Sequence, residues 1–89
     1  MQEPRPLGQG SLDVEQIDLA ELTDVLRPHE VELEDDLAGR SRMRDVVAAH
    51  LGCSLLEAEN LVDTLVLRGF AQLEQDPEGR TFWRLRAGN

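Results

Sequence analysis

Apolar residues recur at helical spacing in three stretches of this chain and at a spacing of two in a fourth. Leu19, Leu22, Val25 and Leu26 follow Asp18, an N-cap whose box partner Glu21 stands three residues on, and the run stops at Pro28. From His29 to Glu34 the pattern alternates, with Val31 and Leu33 between acids, which predicts a short strand with one buried face. Asp35 to Arg40 reads as a loop. Ser41 then caps a second helix with Met43, Val46, Val47 and Leu51 on one face, and Gly52 stops it. Ser54 caps the third helix, with Glu57 completing the box, and Gly69 ends it. At ~100° per residue, Leu55, Ala58, Leu61, Val62, Leu65 and Val66 fall within an arc of roughly 140°, its core face. After the glycine, Phe70 folds back onto the core, and Ala71, Leu73, Trp83 and Leu85 keep the period-two spacing of a hairpin. Trp83 should cover one end of the core. Between the two strand patterns, Asp76-Pro77-Glu78-Gly79 carries the residues a type I turn prefers.

The expected elements are helices at about 19–27, 42–51 and 55–68 and a hairpin at about 70–86. The fold class is α+β: three helices and a short antiparallel sheet in one domain, residues 13–89, behind a leader at 1–12 with Pro4, Pro6, Gly8 and Gly10. This order, over roughly residues 18–86, resembles the winged helix-turn-helix superfamily. Locally it is similar to MarR-type regulators. In them a recognition helix with the rhythm of Leu61-Val62-Asp63 and Leu65 runs into a glycine like Gly69, and the wing carries a turn like Asp76-Pro77-Glu78-Gly79-Arg80. The resemblance implies a recognition device. Family members dimerise through additional terminal helices, for which this length leaves no room, and winged helices also serve as protein-docking modules.

Charge changes that picture. The chain has 89 residues, 40% apolar but only 3% aromatic, and a formal net charge of −9. Residues 1–39 hold eleven acids against two arginines, while residues 40–89 hold seven of each. All nine basic residues are arginine, a bias that a GC-rich genome or a salt-adapted proteome would each produce. The segment Glu30 to Asp36 reads as a solvated charge run, or as a mimic of a phosphate backbone that shields the arginines. No apolar run suits a membrane span and no signal-peptide pattern is present, so the expectation is a soluble cytoplasmic protein.

The outward side of helix 3 carries the candidate interface. Opposite the core arc, Leu56, Asn60, Asp63 and Leu67 form one stripe, with Glu59 beside it. Reading bases there calls for Arg, Lys, Asn or Gln with basic support on phosphates. Asn60 could read adenine, but Glu57, Glu59 and Asp63 outnumber Arg68, the wrong sign for counterion release. Two leucines around a small polar centre suit a protein partner, unless they pack against helix 1, the leader or the 35–40 loop. Arg40, Arg42 and Arg44 at the entry of helix 2, with Arg80, Arg84 and Arg86 on the hairpin, are the candidate nucleic-acid contacts. In the other reading they neutralise the chain's own acids.

Reaction chemistry finds little to build on. His29 and His50 lack ligand spacing, and Asp35-Asp36 lacks the rest of a calcium loop. The single Cys53 excludes an internal disulfide, and reads as a small buried residue or, at the start of helix 3, as a thiol sensor. No phosphate-cradling glycine loop is present. The sequence therefore predicts no catalytic residues, no metal and no cofactor. The leading expectation is a non-enzymatic regulatory or adaptor module that contacts another protein through Leu56, Glu59, Asn60, Asp63 and Leu67, with a homodimer also compatible. The runner-up is a DNA-binding transcriptional regulator, and a weaker alternative is an acidic DNA mimic.

Overall fold

A computed structural model describes residues 17–86. Helix α1 spans Leu19–Leu26, a 3₁₀ segment spans Arg27–Glu32, and helices α2 and α3 span Asp36–Leu51 and Leu55–Leu67. Strands β1 (Ala71–Gln75) and β2 (Thr81–Leu85) pair antiparallel, with Leu73 opposite Trp83. The class is α+β, three helices and a two-stranded hairpin in a small winged-helix-like arrangement. The expected leader at 1–12 lies outside the described residues.

Local signals explain most boundaries. The Asp18 carboxylate accepts from the Glu21 N–H, and α1 ends one residue before Arg27-Pro28. Ser54 and Glu57 cap each other reciprocally at the head of α3. Gly52 closes α2 at φ 68°, a left-handed conformation that glycine adopts without a Cβ clash. In the hairpin turn the Gly79 N–H returns to the Asp76 carbonyl at 2.9 Å. The core gathers Leu22 and Leu26 of α1, Met43 and Val47 of α2, Ala58, Leu61, Val62 and Leu65 of α3, and Ala71, Trp83 and Leu85 of the hairpin.

Four expectations need correction. The segment His29–Glu34 is mostly not a strand. Proline fits the first turn of a helix, where its missing N–H is not needed, so the backbone stays helical through the 3₁₀ segment. Val31 is consequently 82% exposed, while Leu33 is fully buried. Only Glu34 bridges β2, opposite Phe82, with the Asp35 N–H bonded to the Thr81 carbonyl and the Trp83 N–H to the Leu33 carbonyl.

Helix 2 begins at Asp36 rather than about 42, and its cap is Asp35, not Ser41. The Asp35 side chain accepts from the Ala38 N–H at 3.3 Å, and acids suit the positive end of a helix. Asp35 holds a positive φ of 73° with ψ at 146°, outside the left-handed helical well and strained for a residue with a Cβ, and its bond to Thr81 ties it there. Ser41 sits exposed inside the helix, and the expected 35–40 loop is helical from Asp36. Gly39 serves close approach inside this helix, since a Cβ there would collide with Cδ1 of Trp83. The Trp83 indole N–H also donates to the Asp36 carbonyl at 3.0 Å, so the tryptophan joins the hairpin to the first turn of α2.

The third correction is Leu55, 53% exposed at the head of α3 and not part of its buried face. The fourth is Leu73, which is exposed while Ala71, Trp83 and Leu85 enter the core.

Candidate interaction face

Helix α3 presents two chemically different sides because its apolar positions exceed what the core can cover. Ala58, Leu61, Val62 and Leu65 are buried against α2, α1 and the hairpin. On the other side Leu56 is 68% and Leu67 84% exposed, with Glu59, Asn60 and Asp63 exposed between them. Neither α1 nor the 35–40 segment covers these leucines, while the alternative in which the leader does lies outside the described residues. Leu37, at the first turn of α2, is also 75% exposed. It lines a notch of about 90 Å³ between α2 and α3 with Arg40, Ser41, Arg44, Glu59 and Val62. The sequence reading missed Leu37 because it placed this turn in a loop; the Asp35-Asp36 pair was the signal that would have found it.

Asp63 is not a bare charge. Arg40 reaches across from α2 to its carboxylate and lies 5.7 Å from the centre of the Trp83 ring. This links α2, α3 and the hairpin by a charge pair and a cation–π contact.

The other five candidate arginines also face carboxylates of their own chain. Arg42 meets Glu32 at 3.0 Å and Arg44 meets Asp45 at 3.0 Å. On the hairpin, Arg80 lies against Asp76 and Glu78, while Arg84 and Arg86 share Glu74 at 2.9 and 3.4 Å. Exposed pairs of this kind add little stability, on the order of 0–1 kcal/mol. Their effect on recognition is larger, because each carboxylate repels a phosphate approaching its arginine. Arg68, at the end of α3, has no ion pair among the described residues.

The remaining candidates separate. An open groove of about 590 Å³ runs between the 3₁₀ segment and the hairpin turn, with Glu30, Glu34, Asp35 and Asp76 around Val31 and Phe82. Three of these acids already serve the backbone: Glu30 accepts from the Leu85 N–H, Asp35 from that of Ala38, and Asp76 from those of Glu78 and Arg80. The Arg80 N–H, aided by the Glu78 N–H and the Arg80 charge, holds the Asp76 carboxyl below the usual aspartate range. Cys53 goes the other way. Partial burial, then the nearby Glu57 carboxylate, push its thiol up, which disfavours the thiolate a sensor would use. His29 faces Glu32 at 3.3 Å, and His50 shares an open groove with His29, Arg42 and Asp45. Among the described residues no group of three or more His, Cys, Asp or Glu side chains is placed to hold a metal ion. No described helix is long and apolar enough to cross a membrane.

None of the protein-family models, curated proteins or solved structures compared with this chain matches it.

Proposed function

We propose that this chain is a non-enzymatic, cytoplasmic winged-helix module that acts in regulation or as an adaptor by docking on protein through the outward face of α3. The observation that carries this reading is the exposure of Leu56 and Leu67 at the two ends of a stripe whose middle is Asn60 and Asp63. Apolar anchors around a small polar centre are what a protein interface uses; a DNA-reading helix needs cations there. The six arginines that a DNA reader would turn to phosphate each face a carboxylate of this chain, which weakens the electrostatic attraction on which DNA affinity depends.

Cross-linked partner capture, comparing wild type with the double variant Leu56→Asp/Leu67→Asp and with Arg84→Ala, tests it. Docking through α3 predicts that the leucine variant loses its partners while the arginine variant keeps them. If the leucine variant keeps them, or if Arg84→Ala weakens a salt-sensitive binding to mixed-sequence duplex DNA, the reading is wrong and DNA recognition replaces it.

A further inference from the structure

We infer that the partner this face fits is a second copy of the same chain, with α3 packed antiparallel on α3 about a two-fold axis between residues 61 and 62. The inference rests on the docking reading above and names its occupant. The exposed stripe Leu56, Asn60, Asp63, Leu67 has the 4-3-4 spacing of a helix–helix seam. A two-fold contact requires one patch to complement itself, and this stripe does so in one direction only. Antiparallel, each Leu56 meets the Leu67 of the other copy, which removes the two most exposed leucines of α3 from water.

The centre then pairs Asn60 with Asp63, twice. No side-chain hydrogen bond holds the Asn60 amide among the described residues, and Asp63 receives Arg40 on one carboxylate oxygen, leaving the other for an amide donor. A parallel two-fold pairing would instead set Asp63 on Asp63, and such like-charge opposition selects against it. Two polar pairs at the centre of the seam, between leucine pairs at its ends, fix register, as a buried asparagine does in coiled coils. The thirteen residues of α3 span about 20 Å, so the contact is short and the dimer should be reversible.

Sedimentation equilibrium of the full chain between about 10 μM and about 1 mM tests this. Wild type should show a monomer–dimer equilibrium. Asn60→Asp sets carboxylate against carboxylate twice and should raise the dissociation constant about tenfold or more. Exchanging the pair in Asn60→Asp/Asp63→Asn should restore dimerisation, whereas Gln72→Glu, the same added charge on the hairpin, should leave it unchanged. A wild type that stays monomeric over this range, or a swap that fails to rescue, overturns the dimer. Partner capture by wild type but not by Leu56→Asp/Leu67→Asp would then still stand, so failure of the dimer is distinguishable from failure of the docking face.

Discussion

Leu65 and Leu67 lie two positions apart on one helix, yet Leu65 is fully buried and Leu67 is among the most exposed leucines of the described chain. The same residue type therefore has two uses in α3. On the inner side it joins Ala58, Leu61 and Val62 against α1, α2 and the hairpin, where removal from water stabilises the fold. On the outer side Leu56 and Leu67 contribute nothing to that core, so their presence calls for an explanation other than folding. The contrast teaches that a surplus of apolar residues over what the core can cover is itself informative, provided the surplus clusters on one stripe.

If the two sides differ in this way, substitutions should separate them sharply. Leu65→Ala should be the most damaging, lowering stability by about 2–5 kcal/mol through lost burial and a residual cavity, measured by denaturant unfolding. Gly39→Ala comes next, at about 1–3 kcal/mol, because its methyl must displace Trp83 from α2. Loss of the reciprocal cap in Ser54→Ala should lower stability by about 1 kcal/mol. By contrast, Leu67→Asp should move stability by no more than about 0.5 kcal/mol while it weakens association. A large loss of stability in that variant would erase the contrast.

The smallest expected effect lies in the hairpin turn and depends on pH. The folded-state pKa of Asp76 is lowered, so its contribution is fully present above the ordinary aspartate value of about 3.9 and is lost as pH falls through the lower folded value. Amide signals of Glu78 and Arg80 followed from neutral pH downward should therefore hold to below about pH 3.9 before they shift. A shift at higher pH would show that these amides do not hold the carboxylate.

Which parts of this architecture were legible from residues alone follows from how local their causes are. Capping at Asp18 and Ser54, the stop at Gly52, the Asp76–Gly79 turn and the buried arc of α3 all depend on neighbours within a few positions. The sequence exposes such causes directly. The start of α2 was missed although its cap, Asp35, is local, because Ser41 offered a second cap and the space Gly39 leaves for Trp83 shows only in the fold. The alternation of Val31 and Leu33 likewise imitated a strand, although Pro28 allows the backbone to stay helical and only Leu33 reaches the core.

Within the candidate site, the period of α3 was enough to anticipate that Leu56, Asn60, Asp63 and Leu67 are exposed on its outward side. What the period could not reveal was the tertiary context: Arg40 crossing to Asp63, the carboxylates facing the other arginines, and Leu37 joining the same side of the molecule. Those features depend on pairs of residues distant in the chain.

The proposed contact face is the outer side of α3 and not the arginine-bearing hairpin. The most direct test is a series of ¹H–¹⁵N correlation spectra at increasing protein concentration. The account predicts concentration-dependent shifts confined to the amides around Leu56, Asn60, Asp63 and Leu67, with those of Arg80, Arg84 and Arg86 unmoved. Spectra that do not change with concentration, or changes centred on the hairpin, would contradict it.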